Sequence, residues 1–560
     1  MLAERESRVG PHHFRPVRAA LVLLLGLTGV VVGSAPATAA DAATPVKLAI
    51  VVPLVVPQAA DGLLTAEELA QYTSPLGVLS RQLDAVIDRP VAIAIDPMIL
   101  VSIRALGVAA PATATSWLAR LAAATNQTFA LAYDDADLTL ATQAGASILP
   151  AVPSFDFALN PANFAPVSAT TSTPAPPADP KSPVRPALPS SQALLDWPYS
   201  LSDIAWPRDS SVIKTDLKPL AASGYTTTIL SSRNVSKGGS VGSSVELGGE
   251  KAIVSDDAVS TALRGAARAL SDDDWNFAMG ILTAAIATAG RVQSGAQTTV
   301  LATFDRDVPF TGGRLAATLA QLTSSADINN IPLSSIVAGS ATAATIVDLP
   351  QDGARLAFVS RAMIAELSEQ QFASAAKDPL AITAPRRLAL LGLLANQWQS
   401  NLEGWTLAAG SFLSSSANLT SSVEVVKSSG INLLTDRATL PIGVTNDLDQ
   451  AVTVYISVRP DTGLLAVGSS LVKLVIEPHS QGKGQIPVQA ISNGTVGLTI
   501  SLMSATGVPL GTPTRANINV QAGWETPIVI VIALLIVAMF AFGVIRSILR
   551  RRRATAGSDD

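Results

Sequence analysis

Apolar and polar positions change their spacing along the chain, and each spacing predicts a different kind of structure. From residue 46 to about residue 432, short runs rich in β-branched residues alternate with longer Ala- and Leu-rich stretches of helical period, which predicts an α/β front domain. From residue 436 to residue 521, apolar and polar residues alternate between turn residues, which predicts an all-β, immunoglobulin-like sandwich. The chain is therefore expected to be multidomain.

Two apolar runs lie outside those domains. The first, Leu21–Val32, follows four arginines and precedes a small-residue segment that ends at Ala40. This order predicts a secretory signal peptide over residues 1–40, cleaved after Ala39 or Ala40. An uncleaved membrane anchor is the alternative, but the run is short for a bilayer span.

The second run, Ile528–Ile545, contains no charged residue and is followed by Arg546 and Arg550–Arg553. A helix of about 20 residues spans the ~30 Å apolar core of a bilayer, so residues 526–548 are predicted to form a single transmembrane helix. Arginines favour the cytoplasmic side, so residues 549–560 are expected to form a cytoplasmic tail and the preceding domains to be extracytoplasmic. A buried core helix is the alternative, which the basic end of the run disfavours.

A Pro-, Ser- and Thr-rich segment interrupts the front domain. Residues 169–191 have no apolar periodicity, which is typical of an extended, solvated insertion; a docking site for a proline-binding partner is the alternative. Outside the insertion, Thr65–Glu68 has a capping-box pattern that predicts a helix through Leu83. Ser271–Asp274 precedes a second predicted helix that ends near Gly290.

Acidic residues collect where four predicted strands end. They are Asp96 after strand 91–95, Asp134 and Asp135 after strand 128–132, Asp256 and Asp257 after strand 251–254, and Asp305 and Asp307 after strand 298–304. In a parallel α/β barrel the carboxyl ends of the strands share one face, where ligand and active sites are found. An Asp in this position is also a good N-cap for the next helix. Helix capping is therefore the alternative role for each of them.

Composition excludes several kinds of chemistry. The chain has no cysteine, which excludes disulfides, thiolate catalysis and thiolate metal sites. Its three histidines are His12 and His13 in the predicted signal and His479 in the predicted sandwich. A Ser-His-Asp triad and a His-ligated zinc site are therefore not expected in the front domain, and no cofactor or metal is expected. The net charge is −5 without a basic cluster between the two ends, so nucleic acid is not an expected partner.

Carboxylate chemistry remains available to the front domain. Glycoside hydrolysis needs two Asp or Glu carboxyl groups about 5 to 9.5 Å apart. The candidates are Asp96, Asp134, Asp135, Asp305 and Asp307. Trp206 and Trp275 are candidate ligand-binding residues that would stack on a sugar. Aromatic residues make up only 4% of the chain, and burial in a core is the alternative role for each Trp.

Several short segments together resemble a known family. They are Ser74–Pro97, Leu131–Asp137, Ala205–Pro207 and Leu440–Asn446. The family consists of uncharacterised actinobacterial single-pass surface proteins, commonly encoded beside the lipid II flippase. The resemblance implies an envelope setting near cell-wall assembly and no established reaction. It also implies a front domain similar to the β/α barrels of glycoside hydrolases and polysaccharide deacetylases, although a fold does not fix a function.

Three functional hypotheses follow. The first is a membrane-anchored, non-catalytic envelope protein that binds a cell-wall glycan or an envelope protein through its acidic strand-end face. The second is a carboxylate-dependent glycoside hydrolase that acts on an envelope glycan with the same face. The third is a scaffold for a lipid-carrier transporter, which acts through the transmembrane helix.

Overall fold

The computed structural model describes residues 45–57, 62–164, 187–236, 242–292, 299–306, 312–427, 431–433, 435–520 and 525–555. The predicted signal peptide and residues 169–186 of the predicted insertion lie outside these described residues. Within them, an α/β part is followed by an all-β part and by one long C-terminal helix.

Strands of the α/β part are short and mostly buried, as expected for β-branched and alanine runs that end at turn residues. Their bounds are β1 Val46–Leu54, β2 Ala92–Ile95, β3 Thr128–Ala130, β4 Ile204–Ala205, β5 Thr227–Ser231, β6 Val235–Ser236, β7 Ser244–Leu247, β8 Glu250–Ser255, β9 Thr299–Thr303, β10 Ile328–Asn330, β11 Thr342–Ala343 and β12 Thr345–Ile346.

Helices alternate with these strands and then follow them as a group. Their bounds are α1 Ala66–Tyr72, α2 Val78–Val86, α3 Pro97–Ala105, α4 Ala112–Ala123, α5 Leu138–Gln143, α6 Ser191–Leu195, α7 Leu217–Ala222, α8 Asp257–Arg268, α9 Asp272–Val292, α10 Gly312–Ser324, α11 Leu333–Val337, α12 Gly353–Ala373, α13 Pro379–Leu394 and α14 Leu402–Thr420.

A parallel sheet curled into a half-barrel forms the centre of the α/β part. Its strands lie in the order β3-β2-β1-β9-β8-β5-β4, and each is parallel to its neighbour. β7 pairs with β8 in the antiparallel sense. The backbone N–H of Leu201, just before β4, donates to the carbonyl oxygen of Thr128 in β3 at 3.0 Å, so the curl brings the two outer strands together. The carboxyl ends of the strands therefore lie on one face.

Side chains of β1 alternate between two hydrophobic cores, as the two-residue period of a strand requires. Ala49 and Val51 belong to an inner core that collects residues from each of the strands β1 to β5, β8 and β9. Ile50 and Val52 pack in the main core together with the surrounding helices. Burial on both faces explains why the central strands read as nearly continuous apolar runs.

The two predicted helix starts have different outcomes. The capping box of Thr65 and Glu68 is confirmed, but the helix ends at Tyr72 and a second one begins at Val78, so the prediction of one helix through Leu83 is wrong. A Cβ on Gly77 would lie 2.2 Å from the Tyr72 carbonyl oxygen, which shows how tightly the chain turns between α1 and α2. The predicted helix after Ser271 is confirmed as α9.

The all-β part consists of two sheets with one shared core. Its strands are β13 Val423–Val425, β14 Ile431–Leu433, β15 Arg437–Asn446, β16 Val452–Pro460, β17 Leu465–Val467, β18 Val472–Ile476, β19 Ser480–Ala490, β20 Gly494–Met503 and β21 Pro509–Val520. The sheets have the orders β13-β15-β19-β17 and β14-β21-β20-β16-β18. Inward residues such as Val444 and Ile486 from one sheet pack with Val454 and Ile500 from the other, and this alternation is what the sequence pattern predicts.

The segment after α12 joins the two parts. The Lys377 N–H donates to the Ala451 carbonyl at 3.0 Å, and the Thr453 N–H donates to the Ala375 carbonyl at 2.8 Å. Phe372, near the end of α12, is buried in the core of the all-β part. The junction therefore combines strand-like hydrogen bonds with shared apolar packing.

The C-terminal helix α15, Glu525–Thr555, differs from the other helices in its apolar, unburied surface. Within its segment Ile528–Arg552, an 18-residue window has a mean hydropathy of 3.3 and is 0% buried. This helix is long and apolar enough to cross a membrane.

Candidate functional site: carboxylates at the strand ends

Asp96 ends β2 and begins α3. Its Oδ1 accepts the backbone N–H of Met98 at 2.9 Å, which makes it the N-cap of α3. The same oxygen accepts the backbone N–H of Asp134 at 2.9 Å. Only 2% of Asp96 is exposed. One carboxylate oxygen therefore caps a helix and also fixes the turn that follows the neighbouring strand.

Asp134 and Asp135 follow β3 in an uncommon backbone conformation. Their φ angles are 57° and 43°, in the left-handed region that costs a non-glycine residue about 1–3 kcal/mol. Both are 2% exposed, and among the described residues neither Oδ2 atom has a hydrogen-bond partner. The surrounding contacts must therefore stabilise this turn.

Arg306, just after β9, supplies the nearest positive charge. Its Nε lies 3.3 Å from Oδ1 of Asp135, and its guanidinium carbon lies 3.8 Å from the centroid of the Trp206 ring. The guanidinium also donates to the carbonyl oxygens of Trp206 and Pro207. Arg306 is 7% exposed. It therefore links the ends of β3, β4 and β9.

A segment between α13 and α14 covers this cluster. Asn396 donates from Nδ2 to the carbonyl oxygen of Asp135 at 2.9 Å and to its Oδ1 at 3.2 Å. The Gln397 side-chain amide donates to the Arg306 carbonyl, and Ala395 forms an antiparallel bridge with Ala136. We call residues 395–400 the covering segment, because it bonds to Asp135 and Arg306 at the strand-end face.

Burial controls the protonation of the three carboxyl groups. Desolvation raises the pKa of Asp96 to about 8, with a further upward contribution from Asp135. Desolvation, followed by repulsion from Asp96 and Asp135, raises the pKa of Asp134 well above its usual value. Desolvation also raises the pKa of Asp135, but the Arg306 charge opposes this effect and the pKa is about 6. Near neutral pH, Asp135 is therefore the group in this cluster that carries the negative charge.

Asp137, two residues after Asp135, uses both carboxylate oxygens in hydrogen bonds within the protein. Its Oδ1 accepts the N–H of Thr139 at 3.0 Å and caps α5. Its Oδ2 accepts the side-chain amide of Gln351. It is 0% exposed, so its role is to hold α5 against the segment before α12.

Asp305 lies apart from the three buried aspartates. It forms ion pairs with Arg268 at 2.8 Å and with Arg264 at 3.8 Å, and 25% of its side chain is exposed. Arg264 is also paired with Asp209. A cavity of about 210 Å³, which we call the polar cavity, is lined by Asp209, Arg264, Asp305, Arg306, Asn396 and Gln399, among others.

The remaining candidates lie elsewhere or outside the described residues. Trp206 is 4% exposed in the inner core, beneath Arg306. Trp275 lies on α9 and donates from its indole nitrogen to Thr318 Oγ1 of α10 at 3.0 Å. Asp256 caps α8. Asp307 lies outside the described residues. The structure thus brings Asp96, Asp134 and Asp135 together and places Asp305 beside them in the polar cavity.

A second, larger cavity of about 440 Å³ lies beside the end of β3. Most of its lining is aliphatic, and we call it the apolar cavity. Within the described part of the chain, no group of three or more His, Cys, Asp or Glu side chains is arranged to hold a metal ion.

Sequence reasoning did not identify the covering segment. Asn396 is separated from Asp135 by 261 positions, and no local spacing relates the two. The feature of the sequence that could have indicated this segment is the Asn- and Gln-rich run Asn396–Ser400, which follows the strongly apolar α13.

Comparison with known proteins identifies the family of this chain. The model of DUF6049, a family of unknown function, matches residues 15–559. The chain belongs to this family. DUF6049 membership is consistent with the uncharacterised family that the sequence resembles. No curated protein matches the chain.

Solved structures match only a small share of this DUF6049 chain. Native α2-macroglobulin of Escherichia coli is 17% identical over 18% of this chain and 7% of its own, with a TM-score of 0.15. The ASH/PapD-like domain of human CEP192 is 12% identical over 18% of this chain and 84% of its own, with a TM-score of 0.14. WR4, a Caenorhabditis elegans MSP family member, is 11% identical over 18% of this chain and 99% of its own, with a TM-score of 0.14. The chain thus spans under a tenth of the length of α2-macroglobulin.

Proposed function

We propose that this protein is a membrane-anchored, extracytoplasmic envelope protein whose half-barrel domain binds a cell-wall glycan without cleaving it. The anchor is α15, with the arginines at its end on the cytoplasmic side. The all-β part, interpreted as an immunoglobulin-like sandwich, lies between the half-barrel domain and α15 along the chain. The envelope setting beside a lipid-carrier transporter rests on the family resemblance.

One observation carries the non-catalytic part of this proposal. A glycosidase places two carboxyl groups on either side of a sugar, with space for the ring and in many cases a water molecule. Here Asp96, Asp134 and Asp135 are each 2% exposed. Asn396 and Gln397 of the covering segment bond directly to Asp135 and Arg306. A sugar therefore has no path to the buried carboxyl groups in this conformation.

The polar cavity supports glycan binding. The side chains of Asp209 and Asp305 are 28% and 25% exposed, and that of Arg264 is 15% exposed. Carboxylates accept hydrogen bonds and guanidinium groups donate them, so this lining can satisfy sugar hydroxyls, which do both. Its volume of about 210 Å³ is below the usual range for drug-sized ligands. The cavity therefore suits one sugar unit of a longer chain.

The test is retention of the full-length, detergent-solubilised protein on insoluble cell-wall glycan. We expect the wild type to sediment with the glycan, and the Asp209→Asn/Asp305→Asn variant to lose at least 10-fold in affinity, about 1.4 kcal/mol. The matched control is Asp84→Asn, which alters an exposed ion pair with Arg120 outside the polar cavity. Equal retention of all three proteins, or of none, contradicts glycan binding at this cavity.

A glycoside hydrolase is the second candidate, because one observation favours it. A general acid in a glycosidase is kept protonated by an apolar environment, and burial raises the pKa of Asp96 to about 8. This function requires the covering segment to move. Release of new reducing ends from the glycan by wild type, and its loss in Asp96→Asn, would replace the binding function with hydrolysis.

Protease added to intact cells tests the orientation. We expect it to digest the chain before α15 and to leave the epitope-tagged tail intact. Full protection until lysis would contradict an extracytoplasmic front domain. Crosslinking that recovers a transporter only through α15, without glycan retention, would support the scaffold hypothesis instead.

A further inference from the structure

The apolar cavity lies where β3 ends, and Leu131, Ala132 and Tyr133 from that end line it. Its other walls come from α5, α6, α7, α13 and residues 148–152, which follow α5. The aliphatic side chains on these walls include those of Leu131, Leu138, Ile148, Leu149, Leu195 and Leu391. Its volume of about 440 Å³ lies within the 300–1,000 Å³ that small-molecule sites usually have.

Polar groups on the wall are already engaged within the protein. Asp137 accepts from Thr139 and Gln351. The Ser223 hydroxyl donates to the Pro219 carbonyl at 2.7 Å and accepts the Leu149 N–H at 3.0 Å. The Tyr133 hydroxyl donates to the Gly62 carbonyl at 2.7 Å. These side chains therefore have little capacity left for a polar ligand.

Tyr225 is the exception on this wall. It is partly buried, and its hydroxyl makes no hydrogen bond to any other described residue. Among the described residues of this wall, the Tyr225 hydroxyl is thus a polar group that no internal hydrogen bond engages, and it can contact a ligand that carries a single polar group.

These contacts decide between classes of ligand. A sugar placed here would lose its hydration without replacement hydrogen bonds, at roughly 1–3 kcal/mol for each unpaired hydroxyl. An aliphatic chain has no such cost and gains about 25 cal/mol for each Å² of apolar surface removed from water. The chain also carries a helix long and apolar enough to cross a membrane, and a protein anchored in this way shares its membrane with lipids whose acyl chains are aliphatic.

We propose that the apolar cavity binds one aliphatic chain of a membrane lipid, with Tyr225 contacting the polar group at the end of the chain. This site is separate from the polar cavity, and lipid binding here does not depend on glycan binding there. It adds a second ligand class to the function proposed above.

The experiment uses the full-length protein in nanodiscs that contain a phospholipid with a photoreactive diazirine on its palmitoyl chain. After irradiation, labelled peptides are identified by mass spectrometry. We expect labels on residues 131–152 and 388–395, in addition to those on α15 that any bilayer contact would give.

Two variants fill the cavity from exposed positions, Ala151→Trp and Ala222→Trp, both on its wall. Each should reduce the cavity labels at least fivefold and leave the α15 labels unchanged. The matched control is Ala123→Trp, which changes an exposed residue at the end of α4 outside the cavity. Circular dichroism of each variant checks that the fold is retained.

Tyr225→Phe should retain the cavity labels and shift their position along the chain, because the polar anchor is lost. Labels confined to α15 would overturn the proposal, as would cavity labels that persist in both Trp variants. Labelling by free photoreactive palmitate but not by the phospholipid would overturn the assignment to a membrane lipid. Because glycan retention is measured separately on the same variants, failure of one function is distinguishable from failure of the other.

Discussion

The Asp96 carboxylate accepts the backbone N–H of Asp134 at 2.9 Å while it also caps α3. Two neighbouring strand ends are therefore held by one buried carboxyl group. Because a second carboxyl group, that of Asp134, is buried beside it, ionisation of either group is costly. The cluster is consequently sensitive to pH.

The stability of the front domain should fall as the pH rises from about 4 to about 8. Burial raises the pKa of Asp96 to about 8, above an unfolded value of about 4. A carboxyl group with a raised pKa contributes stability that is fully present below the unfolded pKa and lost as the pH rises through the folded one. Urea midpoints of the full-length protein, measured across this range, give the slope.

Asp96→Asn is the control for that pH dependence. The amide keeps an oxygen that can accept the Met98 and Asp134 N–H groups, and it does not ionise. The variant should show a shallower decline in its urea midpoint than the wild type. Identical slopes would show that Asp96 titrates normally.

Loss of Arg306 should be strongly destabilising. The Arg306→Met variant leaves the Asp135 carboxylate buried without its ion-pair partner, a change that costs about 3–5 kcal/mol in unfolding free energy. Removal of the charge should also raise the pKa of Asp135 above its present value of about 6. Denaturant unfolding measures the first effect, and the pH dependence of unfolding measures the second.

The matched control for Arg306 is Arg120→Met. Arg120 and its partner Asp84 have side chains that are 47% and 53% exposed. Exposed pairs contribute about 0–1 kcal/mol. If both variants lost the same small amount, the buried pair would not stabilise the strand-end cluster.

Gln450 should govern opening of the junction between the two parts. Its side chain accepts the Asp378 N–H at 2.7 Å and donates to the Asp378 carbonyl at 3.0 Å. Gln450→Ala removes both bonds, at about 1 kcal/mol each. Hydrogen exchange at the Lys377 and Thr453 amides should therefore become roughly tenfold faster or more. The control, Gln489→Ala on an exposed position of β19, should leave these two amides unchanged.

Charge placed in the middle of α15 should remove the protein from membranes. Arginine at the centre of a spanning helix costs about 2.5–3.5 kcal/mol, so Leu534→Arg/Leu535→Arg should shift the protein from the membrane to the soluble fraction. Leu471→Arg, at a 50% exposed position of the all-β part, should not. Membrane retention of the double variant after carbonate extraction would contradict α15 as the anchor.

The order of the strands in the sheet explains which site residues the sequence could predict to lie together. Asp96 and Asp134 follow β2 and β3, which are adjacent and parallel, so a strand-end pattern is enough to bring them together. Asp305 follows β9, which is separated from β2 by β1, and it pairs with arginines of α8 instead. Strand order is not encoded in local spacing, so the sequence could not separate these two situations.

The position of the Trp206 ring is a second feature that the sequence could not predict. The sequence predicts a ring that either stacks on a ligand or fills a core. The structure places it in the inner core with Arg306 above the ring. Trp206 directly follows β4, a strand of two residues, which has too few positions to establish a period. The direction of its ring therefore depends on the curl of the whole sheet.

The sequence by itself determined the α/β pattern, the strand alternation of the all-β part and the long apolar helix at the end. It could do so because apolar spacing, caps and turn residues act over a few positions. Only the tertiary structure decided that residues 395–400 close over the strand ends, and that an aliphatic cavity remains open beside β3. Both depend on contacts between segments far apart in the chain, whose free energy comes from burial after the sheet has curled.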